Sequence, residues 1–185
     1  MYKDCKTEQS AARQKELEQG LLRMMKKHRY EDISVSDLCA EMAIPRKSFY
    51  RYFSSKDGAL FALLDHTMMD FYEEGFAGKD SGTQLGDLDQ FFVFWYAHED
   101  LLDALERSGL SGILVERATS LALRERLMPG YIRNWNPELQ QIALSFSVCG
   151  LLSMVIQWYH QGFHTSPKEM TQIAKSILSR PLITM

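Results

Sequence analysis

The sequence predicts an all-α protein, and three observations lead to this prediction. Apolar residues recur at steps of three and four along most of the chain, which is the period of an amphipathic helix. Residues suited to helix starts stand where these patterns begin, as at Ser34, Pro45 and Pro167. No run of alternating β-branched residues indicates a strand. We therefore expect helices only, divided between a small N-terminal head and a larger C-terminal bundle.

Four helices are predicted in the first part of the chain, and the first three form the head. Apolar steps through Leu17 and Leu21 mark the first. Ser34 and Asp37 have the spacing of a capping box at the start of the second. Pro45 suits the first turn of the third, where its missing N–H costs nothing. The predicted bounds are 7–28 for the first, starts at Ser34 and Pro45 for the second and third, and 56–76 for the fourth.

Five more helices are predicted in the C-terminal bundle. A Gly- and Ser-rich loop over 78–86 precedes them. Pro129-Gly130 and Asn136-Pro137 bracket a connector between the third and fourth of the five. The predicted bounds are 85–97, 99–107, 110–127, 137–161 and 167–178.

Composition narrows the class of protein. The 185 residues carry a net charge of −3 and 45% hydrophobic residues, which suits a folded protein rather than a basic coat for nucleic acid. The charge is unevenly divided, because residues 1–57 hold 12 Lys/Arg against 9 Asp/Glu, whereas the remainder holds 9 against 15. The three cysteines form no Cys-x-x-Cys pair, and no apolar signal segment follows Met1. We therefore expect a cytoplasmic protein.

The segment 139–167 contains no charged residue and is long enough for a membrane span. Serines and glutamines interrupt it, and no basic flank stands at either end. We therefore interpret it as a buried or interfacial helix and expect no membrane contact.

The stretch from Ile33 to Asp57 is the most informative part of the chain. It contains two short helical patterns around a tight turn, and residues 44–56 include four basic residues and no acid. In a helix-turn-helix the second helix lies in the major groove, where cations and hydroxyls reach bases and phosphates. The residues therefore predict sequence-specific binding of double-stranded DNA.

Within the segment from Tyr30 to Leu60, a set of positions follows a known pattern in order: Ser34-Val35, Leu38-Cys39, Ile44, Phe49-Tyr50, Tyr52-Phe53 and Ser55-Lys56-Asp57. With these residues the segment resembles the N-terminal DNA-binding domain of the TetR family of bacterial transcriptional regulators. Three positions depart from the family pattern: Arg29 and Ala43 replace glycines, and Pro45 replaces the serine that opens the recognition helix. The turn at Ala43 must therefore tolerate a geometry that glycine normally serves.

The resemblance implies that eight side chains approach DNA. Arg46 and Lys47 add charge where many members carry a small residue, which favours phosphate contact over base reading. Lys56 opposes the dipole at the start of its helix, so we expect an external anion near it. The implied residues are Ser34, Ser36, Arg46, Lys47, Ser48, Tyr50, Tyr52 and Lys56.

The resemblance also implies two domains, with residues 1–57 binding DNA and residues 58–185 forming a ligand-binding and dimerisation domain. Aromatic residues crowd 91–96 and recur in the segment 146–159, where an apolar pocket has room to form. An ordinary packed core explains the same aromatics. The candidate ligand residues are Phe92, Trp95, Tyr96, Tyr131, Phe146 and Trp158.

The two last helices, about 137–161 and 167–178, are the predicted homodimer interface. The family implies a four-helix interface made by two helices from each subunit. A dimer contacts two half-sites about one turn of DNA apart, which adds affinity to a small recognition helix.

Metal binding and catalysis are not expected. His160 and His164 share a helical spacing, but Gly162 lies between them and no acidic third ligand is adjacent. His98-Glu99-Asp100 has the pattern of a helix start. No catalytic motif, phosphate-binding loop or cofactor motif is recognised.

The sequence therefore predicts a dimeric repressor that a small-molecule effector releases from its operator. The alternative, from the class of interaction proteins, is a co-activator or adaptor whose C-terminal domain binds another protein. A pocket open to a small molecule favours the first, and a solid core with an exposed apolar patch favours the second.

Overall fold

The computed structural model describes residues 1–76, 86–125, 127 and 134–179. Across these residues every regular element is helical, and the β-type pairing they show is an isolated antiparallel bridge between Tyr2 and Phe53. The predicted all-α fold class is confirmed.

The helices follow the predicted order. A single turn of 3-10 helix at Tyr30–Asp32 separates the first two. The N-terminal helices are α1 at Glu8–Met25, α2 at Val35–Glu41, α3 at Arg46–Phe49 and α4 at Lys56–Phe76. The later helices are α5 at Gly86–Ala97, α6 at Glu99–Arg107, α7 at Ser111–Arg124, α8 at Pro137–His160 and α9 at Pro167–Leu178.

Side-chain caps determine where several helices begin. The capping box predicted for α2 is present, since Ser34 Oγ accepts from the Asp37 N–H at 3.1 Å and Asp37 accepts from the Ser34 N–H at 2.9 Å. Ser166 and Glu169 form the same box at α9. Pro45 lies one residue earlier than predicted, because its extended backbone makes it the N-cap of α3. The predicted loop over 78–86, apart from Gly86, and the Pro129-Gly130 end of the connector lie outside the described residues.

Contacts divide the chain into two compact units. The first consists of Met1–Met68 and Asp100–Arg117, and the second of Met69–Glu99 and Ala118–Met185. The first unit thus takes in α6 and the start of α7 as well as the N-terminal helices. The predicted functional boundary between residues 57 and 58 stays a prediction.

The first unit has a continuous apolar core. Its helices α1 to α4 and α6 contribute side chains with no exposed surface or almost none, including Leu21, Leu38, Phe49 and Leu105. Helix α1 closely approaches the end of α2 at Gly20, where an added Cβ would lie 2.5 Å from the sulfur of Met42. This packing holds the short α2 in place.

Two buried carboxylates in the first unit are paired. Asp65 of α4 accepts from Arg117 Nε at 3.0 Å and from Tyr2 Oη at 2.7 Å. Glu18 of α1 lies 3.0 Å from Nδ1 of His66, which is also on α4. Because an unpaired buried charge is costly, these pairs favour one arrangement of α1, α4 and α7 within the unit.

The second unit is built around α5, which packs against α9. Phe92 and Trp95 of α5 and Trp158 of α8 are fully buried in it. Gly162 and Phe163, with φ angles of 71° and 54°, turn the chain between α8 and α9. The left-handed conformation is unusual for an aromatic residue, and the Phe163 ring packs 4.5 Å from that of Trp158. This contact helps to hold the turn.

Candidate nucleic-acid interface and ligand-binding core

Helices α2 and α3 form a helix-turn-helix whose tight turn is centred on Ala43. Ala43 has a φ of 49°, the left-handed conformation that glycine adopts most easily. The Ile44 N–H donates to the Cys39 carbonyl at 2.9 Å and closes the turn. The chain therefore makes this turn without the glycine of the family pattern, with alanine in the strained conformation.

Buried aromatic rings hold the recognition helix α3 in place. Its four residues end at Phe49, which is fully buried and packs 5.1 Å from the equally buried Phe53. Arg46 and Lys47, on the first turn, are exposed. The buried rings therefore fix a short helix whose cations face solvent.

The eight predicted DNA-binding residues differ in exposure. Ser34, Ser36, Arg46, Lys47 and Tyr50 are exposed, whereas Ser48, Tyr52 and Lys56 are half-buried. The Ser34 hydroxyl also caps α2, so its oxygen already accepts one hydrogen bond. The structure gathers the first five on the outer surface of α2 and α3, and their contact with DNA stays a prediction.

Arg46 and Tyr50 form a pair on the exposed side of α3. Arg46 Nη2 donates to Tyr50 Oη at 3.4 Å, and the guanidinium carbon lies 6.0 Å from the centre of the Tyr50 ring. The hydrogen bond to Tyr50 raises the pKa of Arg46 above its already high ordinary value. The guanidinium is therefore a permanent cation whose direction is guided by the tyrosine.

Lys56 has partners inside the protein. Its ammonium donates to the carbonyls of Tyr30 and Ile33, each at 2.5 Å, and lies 4.1 Å from the centre of the Tyr30 ring. The sequence suggested an external anion as the reason for a cation at this helix start. The two carbonyls give a sufficient structural reason, and the approach of Lys56 to DNA stays a prediction.

Tyr30 organises the segment that leads into α2, a role that no motif of the sequence indicates. Its backbone N–H donates to Ser108 Oγ at 2.9 Å, and its hydroxyl donates to Asp57 at 2.5 Å. Burial, with the hydrogen bond to Asp57, raises the pKa of Tyr30 well above its ordinary value, so it stays protonated. Ser108 is 78 residues away in the chain, and no local pattern signals such a contact.

The predicted ligand-binding aromatics fall into different environments. Phe92 and Trp158 are in edge contact at 5.8 Å within the core of the second unit. Tyr96 stacks on Trp158 at 5.8 Å but is 47% exposed. Trp95 is also fully buried in this unit. Phe146 is 61% exposed on α8, and Tyr131 lies outside the described residues.

The two buried tryptophans of the second unit differ in their hydrogen bonding. Trp158 Nε1 donates to the Thr165 carbonyl at 2.9 Å. Trp95 Nε1 has no partner, and it alone among the buried side-chain nitrogens and oxygens of the described residues is in this position.

An open groove of about 310 Å³ lies between α5 and α9. It contains none of the predicted ligand-binding aromatics. Two lysines and one carboxylate give it a mixed charge. Its lining residues are Asp89, Val93, Lys168, Thr171, Gln172 and Lys175.

Helix α8 carries apolar side chains to its surface. Leu139, Ile142 and Phe146 follow one another at steps of three and four, and each is more than half exposed. Ile173, Ile177 and Leu178 of α9 are exposed as well. By length and composition α8 is also apolar enough to cross a membrane, and 17% of its most apolar 18-residue stretch is buried inside the protein.

Among the described residues, no group of three or more His, Cys, Asp or Glu side chains is placed to hold a metal ion.

Comparison with protein families gives one match, over residues 20–63, to the family described as bacterial regulatory proteins, tetR family. The matched segment contains the end of α1, the whole helix-turn-helix and the start of α4. Comparison with curated proteins gives no match.

Several solved structures share the fold. The fatty acid degradation regulator FadR from Bacillus halodurans aligns with a TM-score of 0.63 at 17% identity, over 93% of this chain and 97% of that one. The TetR family repressor AlkX from Dietzia sp. aligns with a TM-score of 0.55 at 16% identity, over 87% and 90%. DhaS, a dihydroxyacetone kinase operon activator, aligns with a TM-score of 0.56 at 17% identity, over 90% and 94%.

Proposed function

We propose that this protein, a DNA-binding transcriptional regulator of the TetR family, is a homodimeric repressor that a small molecule releases from its operator. In this proposal residues 1–57 bind DNA, and residues 58–185 bind the effector and the second subunit. The protein acts in the cytoplasm, where its operator is.

The observation that carries the proposal is the exposed, cationic α3 held on a buried aromatic base. Phe49 and Phe53 fix the helix, and Arg46 and Lys47 project from it. A recognition helix needs this combination, because cations must reach the groove from a rigid support.

We assign the predicted DNA contacts two roles, positioning the head on the duplex and reading the bases. Lys47 and the hydroxyls of Ser36 and Ser48 contact phosphates, which fixes the register of the head on the duplex. The sequence favoured phosphate contact for Arg46 as well. Because Tyr50 orients its guanidinium, we instead propose Arg46 for a guanine edge, where a guanidinium forms paired hydrogen bonds with O6 and N7. Ser34, Tyr52 and Lys56 complete the predicted interface.

The exposed apolar residues of α8 and α9 support a dimer. Leu139, Ile142 and Phe146 form one stripe on α8, and Ile173 and Ile177 lie at a helical step on α9. An exposed apolar stripe of this kind is a common mark of a subunit interface. Two helices from each protomer then cover it, which also accounts for an α8 as apolar as a membrane span.

The effector is proposed to bind among the aromatic residues of the second unit. Phe92, Trp95, Tyr96 and Trp158 supply apolar and aromatic surface there. The names of FadR and AlkX concern fatty acids and n-alkanes, and at 16–17% identity that likeness extends to the fold. The apolar character proposed for the effector therefore rests on the aromatic core of this chain.

Repression is tested in two steps. Purified protein is first incubated with a pool of randomised duplexes, and the bound duplexes are sequenced; we expect an inverted repeat with half-sites about one DNA turn apart. A reporter gene placed behind that sequence is then expected to fall in activity when the protein is present. A rise in reporter activity would indicate an activator, as the name of DhaS states for that protein.

Variants of α3 connect the binding to the proposed surface. Arg46→Ala and Lys47→Ala are each expected to weaken binding to the selected duplex, because each removes an exposed cation. Lys168→Ala removes an exposed cation of α9 and serves as the matched control. Equal binding by all three variants would place the DNA contact elsewhere.

A further inference from the structure

The indole N–H of Trp95 is a buried donor without an acceptor. Trp95 is fully buried on α5, and among the described residues its Nε1 is the one buried side-chain nitrogen or oxygen that makes no hydrogen bond. Burying an unsatisfied donor destabilises a folded protein, and such groups are rare in native structures. Its presence therefore calls for a function.

The surroundings of Trp95 are aromatic. The rings of Phe91, Phe94 and His98 lie 6.5, 5.7 and 6.5 Å from the indole. His98 Nδ1 is already hydrogen-bonded to the Phe94 carbonyl at 2.8 Å, and the His98 ring stacks on Phe94 at 4.0 Å. The Phe71 ring contacts Phe91 and Phe94 at 5.6 and 5.1 Å. The indole of Trp95 therefore lies in a cluster of aromatic rings.

Trp158 shows that the core of the second unit can supply a hydrogen-bond acceptor for a buried indole N–H. It is equally buried in the same unit, and its Nε1 donates to the Thr165 carbonyl at 2.9 Å. The missing hydrogen bond of the Trp95 indole is therefore specific to its position on α5, since the Trp158 indole of the same unit has its partner.

We propose that Trp95 is the polar anchor of a ligand site in the second unit. The ligand is a largely apolar molecule with a carbonyl oxygen that accepts the indole hydrogen bond. The phenyl rings that pack on the Trp95 indole offer no hydrogen-bonding groups, so the rest of the ligand is apolar. The rings contact one another, so entry of the ligand displaces at least one of them. This inference deepens the proposed effector function and rests on it.

The test uses two probes of nearly the same shape, acetophenone and α-methylstyrene. Acetophenone has a carbonyl oxygen where α-methylstyrene has a methylene group, so the two differ in a single acceptor. The full-length protein is labelled with ¹⁵N, and the indole resonances of its three tryptophans are followed as each probe is added. Trp95→Phe and Trp158→Phe variants assign the resonances.

Acetophenone is expected to move the Trp95 indole proton downfield, which indicates a new hydrogen bond, and α-methylstyrene is not. Acetophenone should bind about three- to tenfold more tightly than α-methylstyrene, which is the usual effect of one hydrogen bond. In Trp95→Phe this preference is expected to disappear, and in Trp135→Phe, which changes an exposed tryptophan outside the proposed ligand site, to remain. Trp158→Phe should also lower the denaturation midpoint more than Trp95→Phe does, because it alone removes a formed bond.

Three results would overturn the proposal. The first is a Trp95 resonance that neither probe moves up to its solubility limit. The second is an equal response to the two probes. The third is a resonance already at a hydrogen-bonded position in the free protein. Duplex binding is measured in separate samples without probe, so failure of the ligand site is distinguishable from failure of the proposed DNA binding.

Discussion

Two backbone carbonyls, those of Tyr30 and Ile33, accept hydrogen bonds from the ammonium group of Lys56. The same ammonium lies over the Tyr30 ring, where a cation is attracted to the π-electrons. Lys56 thereby ties the first turn of α4 to the segment that leads into α2. We infer that its side chain stabilises the head as a unit, whether or not it also reaches a phosphate.

Lys56→Met keeps the apolar stem and leaves both carbonyls without their donor. We expect the free energy of unfolding to fall by about 1–3 kcal/mol, because half-buried acceptors lose a charged partner. Chemical denaturation followed by circular dichroism measures this change. Lys47→Met, at an exposed position of α3, is the control and should change the stability by less than about 0.5 kcal/mol. Equal stability of the two variants would contradict the role given to Lys56.

The turn of the helix-turn-helix provides a second prediction at this scale. Ala43 has a φ of 49°, and this conformation costs an L-residue about 1–2 kcal/mol. Ala43→Gly removes that strain but adds entropy to the unfolded chain, so we expect stability to stay the same or rise by up to about 1 kcal/mol. Ala40→Gly, inside α2, should lower it by about 1 kcal/mol. An equal fall in the free energy of unfolding of both variants, measured by urea denaturation, would contradict the strain assigned to Ala43.

Helix α3 has four residues, too few to be stable by its own hydrogen bonds. Its position depends on Phe49 and on the caps and turns at either end. Helix α2, with seven residues, is similarly dependent on the Ser34–Asp37 box and on its packing against α1. The recognition surface is therefore only as rigid as these local contacts make it.

The box at α2 predicts a pH dependence of stability. The hydrogen bonds from Ser34 lower the pKa of Asp37 below its ordinary value. A carboxyl with a lowered pKa in the folded state contributes stability above its unfolded pKa, and this contribution is lost as the pH falls through the folded value. We expect Asp37→Asn to reduce stability at neutral pH and to match the wild type at strongly acid pH. Thermal unfolding across the acid range measures this, and a difference that persists at low pH would contradict it.

The exposed stripe on α8 predicts which substitution weakens the proposed dimer. Ile142→Glu places a charge at the centre of an apolar patch where the side chain is 66% exposed in the protomer. Burying that charge between subunits is costly, so we expect the dissociation constant of the proposed dimer to rise at least about tenfold. Analytical ultracentrifugation measures the association. Gln141→Glu adds the same charge at the neighbouring exposed residue and should leave the dimer intact. Loss of association in both variants would indicate a general effect of charge.

The sequence was sufficient for features that depend on neighbouring residues. Ser34 with Asp37 and Ser166-Pro167 mark helix starts, because a cap acts over three or four residues. The outward position of Arg46 and Lys47 follows from the burial of Phe49 on the same short helix. The partners of Lys56 and the bond from Tyr30 to Ser108 depend on the folded chain, and no local pattern encodes them. The same holds for the unpaired indole of Trp95.

At the scale of the whole molecule, the uneven charge fits a protein that touches DNA with one part. Residues 1–57 carry an excess of three positive charges, and the remainder an excess of six negative charges. Such a distribution steers the basic head toward phosphates and keeps the acidic remainder away from them. An effector acts on this system only if it binds one of two conformations better than the other.

The salt dependence of duplex binding, measured by fluorescence anisotropy, tests the central claim most directly. Wild-type protein is titrated into the selected inverted repeat and into a scrambled duplex of the same composition at several salt concentrations. We expect the selected duplex to bind at least about 10³-fold more tightly, and Lys47→Ala to reduce the salt slope by about 0.9. Equal affinity for the two duplexes at every salt concentration would contradict the assignment of this chain as an operator-binding regulator.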